Sequence, residues 1–311
     1  MMDTRLNRLN TERRVLVLGG TGHYGREIVR ALGSLGSRPR VLSRNPGTAA
    51  GALDSGAEIV AGDITDEASL EKALDGMGAV VIAVSAMSRK TARQLRRIEI
   101  DGVLNVLRLL EARRISRVVF LSAYDLHDDT IARLKIARLS VAKQTVEAAL
   151  ASSSLNWTVL GCPPTMGLFT EFLKGDRLIA PGGLASPMPT ISPLDVGEIA
   201  ARAALRTDLS GRRFHLCAAE PVSADIAAKI LSEILERPIS VRAIPMGAMN
   251  VGTAVLGLFN PFFRLLYLGL KVFNNFPPSL IDAIPQDSKR LQETFGVPLR
   301  TFREEMTARL G

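Results

Sequence analysis

The stretch that decides the fold is VLVLGGTGHYGREIVRAL, residues 15–32. Four apolar residues lead into glycines at positions 19, 20, 22 and 25, and a pattern of helical period follows at once. Gly19, Gly22 and Gly25 have the spacing G-x-x-G-x-x-G. Where a strand turns tightly into a helix, glycine supplies positive φ and leaves room for a pyrophosphate, which the helix N-terminus then attracts. The stretch therefore predicts a strand–turn–helix unit that binds a dinucleotide, with a purely structural turn as the alternative.

The same alternation of strand and helix continues along the chain. Short apolar runs rich in Val and Ile alternate with segments of helical period, and the runs are 15–19, 39–43, 58–62, 79–85, 117–122 and 157–162. Runs that are apolar throughout are typical of parallel strands covered on both faces. The pattern predicts an α/β fold, a doubly wound parallel Rossmann-type sheet with a smaller, mostly helical C-terminal substrate or cap region.

The pattern also predicts a division of the chain. Residues 1–12 form a flexible basic N-terminus, and residues 13–164 form the dinucleotide-binding Rossmann domain. Residues 165–311 form a mixed region, in which 190–218 return to the Rossmann sheet while 165–189 and 219–311 form the substrate or cap part. Ser192 or Asp195 is expected to cap the helix that begins near residue 193.

Composition and charge narrow the class of protein. The 311 residues carry a formal net charge of +8, which permits an anionic partner such as a phosphorylated cofactor. The basic residues are spread along the chain without interleaved aromatics, so nucleic acid is not expected as a partner. Cys162 and Cys217 lie far apart and match no metal spacing, and no apolar signal segment opens the sequence. We expect a reduced, cytoplasmic protein without a metal site.

The end of the second strand indicates which dinucleotide is bound. An acidic residue there would bind the ribose 2′-hydroxyl of NAD, but this chain reads VLSRNP, with Ser43 and Arg44. An arginine pairs with a 2′-phosphate, which a carboxylate would repel. NADP is therefore expected rather than NAD, unless Arg44 is an ordinary surface residue.

Further cofactor contacts are expected at the neighbouring strand ends. Asp63, in AGDITD, is positioned to accept the adenine amino group or, alternatively, to cap the helix beginning near Asp66. The remaining candidates lie in the glycine loop or at the ends of the third and fourth strands: Thr21, His23, Tyr24, Ile64, Ala83 and Val84. His23 is expected to pack or to face solvent near the phosphates, where anionic oxygens would favour its charged form without giving it a catalytic role.

With these motifs the chain resembles the short-chain dehydrogenase/reductase superfamily, in particular its atypical, NmrA-like branch. The resemblance rests on GGTGHYG, VLSRNP, AGDITD, VVFLSA, AKQTVEAAL, NWTVLGCPPTMG and ISPLDVGEIAARAAL, and it covers residues 13–245. It implies an NAD(P)-binding protein.

The resemblance also implies a set of catalytic residues. Members that reduce carbonyls carry a Tyr-x-x-x-Lys pair on the helix after the fifth strand and a Ser or Thr at that strand's end. Lys143 and Ser122 match, but Leu139 stands where the tyrosine is expected. Tyr124 is either a displaced phenol or a packing residue. Lys143 is either the acid or base itself or only an anchor for the cofactor ribose.

Other candidates have structural interpretations. His127 and His215 have no acidic or cysteine partner at a useful spacing, so both are expected to be structural. Cys162 stands where the family commonly has an arginine; it either lines the nicotinamide pocket or is a buried, inert thiol.

The apolar segment 261–276 carries Arg264 and Lys271 on one predicted helix face. It is expected to cap an apolar substrate pocket or to form an oligomer contact, with an interfacial helix on a membrane surface as the alternative. A homodimer is compatible with the sequence.

Two functions remain open at this point. The first is an NADP-dependent oxidoreductase that acts on an apolar small molecule. The second is a non-catalytic NAD(P) sensor or assembly protein, in some versions membrane-peripheral, which the missing tyrosine at position 139 favours. Whether the chain is an enzyme is therefore the question that the site has to answer.

Overall fold

The computed structural model describes residues 9–53 and 56–311. The described strands are β1 Val15–Leu18, β2 Pro39–Ser43, β3 Glu58–Ala61, β4 Ala79–Ile82, β5 Arg117–Ala123, β6 Asn156–Cys162, β7 Leu173–Lys174, β8 Arg177–Pro181, β9 Arg212–His215 and β10 Ser240–Ile244. Positions 1–8 of the predicted flexible N-terminus lie outside the described residues. Within its described part, Asn10 donates its backbone N–H to Leu205 O at 3.0 Å.

Helices connect and cover these strands. The α-helices are α1 Gly25–Ser34, α2 Pro46–Ala52, α3 Glu67–Leu74, α4 Val103–Ala112, α5 Asp128–Leu134, α6 Ala137–Ala151, α7 Leu168–Glu171, α8 Pro193–Leu205, α9 Ala224–Ile234, α10 Met246–Phe259, α11 Phe262–Phe273, α12 Pro278–Asp282, α13 Ile284–Phe295 and α14 Phe302–Leu310. A 3₁₀ turn, Ala92–Gln94, and a π-helical segment, Arg96–Gly102, precede α4.

Seven of the strands form one parallel sheet in the order β3-β2-β1-β4-β5-β6-β9. The chain moves outward from β1 to β3 and then returns to add β4 on the other side of β1. Such a reversal leaves a crevice at the carboxyl ends of β1 and β4, where doubly wound sheets bind their ligands. The predicted doubly wound α/β fold is confirmed.

The sheet is covered on both faces because its strands alternate apolar side chains between two cores. Val15 and Val17 point into one core, which α1, α8 and α13 cover. Leu16 and Leu18 point into the other, which α3, α4 and α6 cover. The prediction that every strand is covered on both faces is wrong for β3. Its residues are half-buried or exposed because β3 is an edge strand.

The C-terminal part is mostly helical, as the sequence predicts, but it also contains a small sheet of three strands. β10 pairs in parallel with β8, and β8 pairs antiparallel with β7. A third apolar core joins this sheet to α9 and α14, and the hairpin of α10 and α11 projects beside it. The predicted domain boundaries within 165–311 stay predictions.

Ser192, one of the two predicted caps, begins α8. Its hydroxyl accepts the N–H of Leu194 at 3.1 Å. Asp195, the other candidate, is fully buried and accepts the backbone N–H of Arg300 at 2.8 Å, so it holds the C-terminal segment against α8. Within the described ranges, no helix has both the length and the apolar character needed to cross a bilayer.

Candidate functional site

The glycine loop between β1 and α1 folds tightly on its own backbone. Gly19 has φ +84°, and a Cβ there would lie 2.6 Å from Ala83 O. A Cβ at Gly25 would lie 2.0 Å from Gly19 O, while the N–H of Gly22 donates to Gly19 O at 2.9 Å. No side chain of the described residues caps the first turn of α1; the Arg26 N–H donates to Gly22 O at 3.1 Å, and the positive end of the helix dipole faces the loop. The loop and the helix end together fit a pyrophosphate.

A cavity of about 710 Å³ opens above this loop, at the carboxyl ends of the first four strands. Its volume lies within the range of cofactor and ligand sites. The predicted cofactor residues that line it are Gly19, Thr21, Gly22, His23, Tyr24, Ser43, Arg44, Asp63, Ile64, Ala83 and Val84. Ser85, which follows Val84 at the end of the fourth predicted strand, lines the cavity too, and so do residues that the sequence did not indicate: Asn45, Thr48, Met87, Thr91 and Ile98. The structure thus brings nearly all of the predicted cofactor residues to one groove, with Gly25 packed beneath it.

Arg44 and Asp63 face each other across the end of this groove. The Arg44 side chain is 58% exposed, and its Nε lies 3.9 Å from Asp63 Oδ2. The other oxygen, Asp63 Oδ1, accepts the N–H and the hydroxyl of Thr65 at 2.8 and 2.9 Å. Asp66, rather than Asp63, caps α3 by accepting the N–H of Ser69. The Arg44 guanidinium is therefore held loosely and is free to pair with an anion.

Lys143 on α6, the remaining predicted cofactor residue, is not among the residues that line this cavity, but its side chain reaches Val84, which does line it. Its Nζ lies 3.2 Å from Glu99 Oε2 and donates to Val84 O at 3.4 Å. The same ammonium lies 5.0 Å from the centre of the Phe120 ring. The side chain is only 18% exposed, so the charge depends on these neighbours rather than on water.

Glu99 is a functional candidate that the sequence analysis missed. Its side chain is 5% exposed, and its second oxygen, Oε1, accepts the backbone N–H of Ala86 at 2.5 Å. Glu99 lies in the π-helical segment, a type of helix insertion that is frequent at functional sites. In the sequence, Glu99 stands between two isoleucines in a segment that also carries Arg96, Arg97 and Asp101, so it did not stand out. The carboxylate joins the Lys143 ammonium to the loop that follows β4.

Ser122 lies at the end of β5, on the strand face that also carries Phe120. Its hydroxyl is buried and has no hydrogen-bond partner among the described residues. Because side chains alternate along a strand, Ser122 and Phe120 point to the same side, which is the side that Lys143 covers. A buried hydroxyl without a partner is unusual, and a bound ligand would satisfy it.

Tyr124 lies in the core on the opposite face of the sheet. It is 2% exposed, and its ring lies 5.0 Å from the His215 ring and 5.9 Å from the Phe276 ring. Burial raises the pKa of its phenol, and the neighbouring Cys217 raises that pKa further. This position supports the packing interpretation of Tyr124 rather than a displaced proton donor.

Leu139, four residues before Lys143, belongs to an apolar cluster between α6 and α11. It packs with Ile131, Leu134 and Ile136, and with Leu268 and Val272 of α11. The position that carries the tyrosine in catalytic relatives therefore anchors the C-terminal hairpin here.

Both remaining histidines have acidic partners, contrary to the prediction that they lack them. His127 Nδ1 lies 2.8 Å from Asp125 Oδ1, two residues away, and His215 Nδ1 lies 3.6 Å from Asp287 Oδ2. Asp125 also accepts the backbone N–H of His127, so it forms a local turn at the start of α5. The pair of His215 and Asp287 joins β9 to α13 and was not visible in the sequence, because it depends on tertiary packing.

Cys162 is held as a neutral thiol. Burial raises its pKa to about 12, although the positive charges of Lys143 and Arg213 oppose that shift. Its Sγ lies 3.6 Å from Leu160 O. These observations support the interpretation of an inert thiol.

His23 lies among positive charges. Desolvation lowers the pKa of its ring, and the positive charges of Arg26 and Arg309 lower it further. The expectation that anionic oxygens favour its charged form stays a prediction.

The most exposed apolar side chains of the C-terminal hairpin lie on α10 rather than on the segment 261–276. In α11, within the segment 261–276, the side chains are half-buried or buried. Its neighbour α10 instead exposes Val251, Val255, Leu256, Leu258 and Phe259. The reason is that α11 packs on α6 and α10, so that α10 is left on the outside.

Comparison with known proteins agrees with this site. Residues 19–207, more than half of the chain, match the NAD(P)H-binding family. The photosystem II assembly factor Ycf39 of Synechocystis is 26% identical over 82% of this chain and 76% of its own length. A (4-alkanoyl-5-oxo-2,5-dihydrofuran-3-yl)methyl phosphate reductase of Streptomyces griseus is 24% identical over 93% of this chain and 95% of its own. The NADPH-dependent quinone oxidoreductase QOR2 of Escherichia coli, solved with NADPH, superposes with a TM-score of 0.72 at 18% identity, covering 96% of this chain and all of the other.

The fold and the groove define a dinucleotide-binding protein of the reductase-like type. The chain belongs to the NAD(P)H-binding family, and its resemblance to the atypical short-chain dehydrogenase/reductases is confirmed. The prediction of a nicotinamide dinucleotide as cofactor is confirmed with it.

Proposed function

We propose that this protein is an oxidoreductase that transfers a hydride between NADP(H) and an apolar small molecule. The observation that carries the proposal is the ion pair of Lys143 and Glu99, which contacts Val84 at the lining of the dinucleotide groove. A buried charge pair is costly to maintain, so a pair that adjoins a ligand groove is a candidate for a functional role.

Arg44 supports NADP over NAD. It stands at the end of β2, it lines the groove, and its only described ionic neighbour is Asp63 at 3.9 Å. A 2′-phosphate would offer the guanidinium shorter, charge-assisted hydrogen bonds than this carboxylate does. Asp63 follows β3 rather than β2, so it does not replace the acidic residue that NAD-binding relatives place at the end of the second strand.

The residues around Lys143 suit the movement of a proton beside the cofactor. When bound, the nicotinamide supplies or accepts the hydride. The Lys143 ammonium then neutralises negative charge that develops on a substrate oxygen, or donates a proton to it, and the Ser122 hydroxyl offers a second hydrogen bond. Glu99 holds the ammonium in place through its bond to the Ala86 N–H, so it acts as a positioning residue. The alternative is that Lys143 only anchors the nicotinamide ribose.

Several relatives support a reductase. The relative from Streptomyces griseus is named a reductase, and similar folds include a triphenylmethane reductase of Citrobacter and a protein solved with NADP+ and (+)-pinoresinol. An apolar substrate is suggested by the C-terminal region, whose helices α10 and α11 contain no acidic residue and only two basic ones.

The test combines cofactor binding with turnover. Nicotinamide fluorescence is followed while the protein is titrated with NADPH and with NADH, and the oxidation of bound NADPH is then measured against apolar ketones and enones. Lys143→Met should bind NADPH but lose turnover, whereas Lys289→Met, on an exposed face of α13, should keep both. Tight binding without oxidation of NADPH by any compound would contradict the proposal.

A second candidate function is a non-catalytic assembly or sensor protein. The likeness to Ycf39 over most of the chain favours it, as does Leu139 in the position of the tyrosine. In this case Lys143→Met would leave partner binding intact, because Lys143 would serve only the cofactor. The predicted cytoplasmic location and a homodimer stay predictions under either function.

A further inference from the structure

Helix α10 carries an apolar stripe that nothing in the described chain covers. Val251, Val255, Leu258 and Phe259 are 66%, 54%, 83% and 72% exposed. Their spacing of four, three and one residues places them on one side of the helix. α10 contains no charged residue at all. Large apolar side chains with this exposure and regular spacing mark an interaction site rather than ordinary surface.

The hairpin holds this stripe outward. The opposite side of α10 packs on α11, and the approach is close, since a Cβ on Gly257 would lie 2.5 Å from Arg264 Cγ. Thr253, on the packed side, is buried and donates its hydroxyl to Met249 O at 2.6 Å. The exposed side chains are therefore presented by an ordered helix rather than by a loose end.

A basic loop is bound to the C-terminal end of the stripe. Arg93 Nη2 donates to Phe259 O at 2.7 Å, and Asn260 Nδ2 donates to Arg89 O at 2.8 Å. The Arg89 guanidinium lies 5.1 Å from the centre of the Phe263 ring. Arg89, Lys90 and Arg93 are all exposed, so three cations stand beside the most exposed apolar side chains of residues 9–53 and 56–311.

The charge around the stripe has one sign. The sequence contains no acidic residue between Asp75 and Glu99, or between Glu236 and Asp282. A second copy of the chain would bring its own cations toward these, which disfavours self-association through this surface. Apolar side chains bordered by cations are the features by which interfacial helices bind anionic lipid.

We propose that α10 and the segment 87–97 form a docking surface for an anionic lipid bilayer. In this arrangement α10 enters the bilayer only to the level of the lipid headgroups. Leu258 and Phe259 insert, while Arg89 and Lys90 contact lipid phosphates. Met87 and Thr91 of the same segment line the dinucleotide cavity, so docking places the mouth of that cavity at the lipid surface. The proposal concerns binding alone and does not depend on whether the chain catalyses a reaction.

The experiment is flotation of the full chain with vesicles at low salt. Vesicles of equal parts phosphatidylcholine and phosphatidylglycerol are compared with vesicles of phosphatidylcholine alone. We expect the chain to float with the anionic vesicles and to remain at the bottom with the neutral ones. Leu258→Ser/Phe259→Ser should lower the affinity about tenfold or more, because two exposed side chains no longer insert. Arg89→Glu/Lys90→Glu should lower it as well, and added salt should weaken binding of the parent.

Matched controls separate this surface from general effects. Ile226→Ser changes an exposed apolar residue of α9, and Lys289→Glu reverses an exposed charge of α13; both should float as the parent does. NADPH binding and the circular dichroism spectrum should stay unchanged in every variant, which shows that each is folded. Failure of the parent to float, or equal flotation of the Leu258→Ser/Phe259→Ser variant, would overturn the proposal. Loss of a dimer in that variant, without lipid binding by the parent, would assign the stripe to a second copy instead.

Discussion

Removing the Lys143 ammonium should destabilise the protein as well as affect its chemistry. The Glu99 side chain is only 5% exposed. In Lys143→Met its carboxylate loses the ammonium and keeps the Ala86 N–H as its remaining partner. Breaking a buried pair by removing one member costs about 3–5 kcal/mol of the free energy of unfolding. We expect the lower end, about 3 kcal/mol, because the Ala86 N–H still stabilises the carboxylate and the Lys143 side chain is not completely buried.

Removing the carboxylate charge should cost less. In Glu99→Gln the amide oxygen can still accept the Ala86 N–H, and Lys143 keeps Val84 O and the Phe120 ring. We expect the free energy of unfolding to fall by about 1 kcal/mol, because one hydrogen-bonded partner is changed. The double variant contains no unpaired charge, so it should lose about 2 kcal/mol rather than the sum of about 4. The two residues are then coupled by about 2 kcal/mol.

The assay is unfolding in urea, followed by circular dichroism, for the parent, both single variants and the double variant. Lys289 and Glu293 provide a matched control, since they form an exposed pair one helical turn apart at 3.9 Å. Their coupling should not exceed about 0.5 kcal/mol. A coupling of Lys143 and Glu99 as small as that of the control pair would refute the reasoning, because it would show that the two charges do not depend on each other.

Three further predictions concern the cofactor and the core. Arg44→Ala should lower the affinity for NADPH about tenfold and the affinity for NADH by less than about twofold, because only NADPH carries the 2′-phosphate. Nicotinamide fluorescence measures both affinities, and equal losses would contradict the assignment. Desolvation and the charge of Arg26 lower the pKa of His23, whereas a pyrophosphate beside the ring would raise it, so we expect binding to take up a proton. The affinity for NADH should consequently rise as the pH falls below neutrality, and His23→Gln should remove part of that rise. Tyr124→Phe should change the free energy of unfolding by less than about 1 kcal/mol and leave turnover unchanged. The reason is that the phenol oxygen has no hydrogen-bond partner among the described residues. Loss of turnover would restore Tyr124 as a candidate acid.

The sheet and the glycine loop could be predicted from the sequence because local signals determine them. A buried parallel strand has to be apolar along its whole length, and the loop needs glycine where a Cβ would meet the backbone, as at Gly19 and Gly25. The predicted strand 79–85 extends beyond the observed end at Ile82, because apolar residues continue into the loop at the cavity wall. Local composition does not show where pairing stops.

Glu99 and the exposed stripe could not be predicted in this way. Glu99 meets Lys143 only after α6 has packed on the π-helical segment, and the two residues lie in different motifs of the sequence. The apolar character of the C-terminal region was evident, but which of two adjacent apolar helices stays uncovered depends on the partner that each one finds. α11 contacts α6 through Leu268 and Val272, and α10 is left outside.

Leu139 connects the site to the hairpin and limits the chemistry that the site can perform. A tyrosine there would give ketone reduction its proton donor, but this position holds α11 against α6. Reduction of a simple ketone builds a full negative charge on oxygen as the hydride arrives, which requires an acid at that oxygen. Reduction of an enone at carbon spreads the charge over a conjugated system, which a fixed ammonium stabilises without donating its proton at the same moment. If the proposed function holds, Lys143, held by Glu99, is such an ammonium, and we expect conjugated enones to be reduced faster than simple ketones.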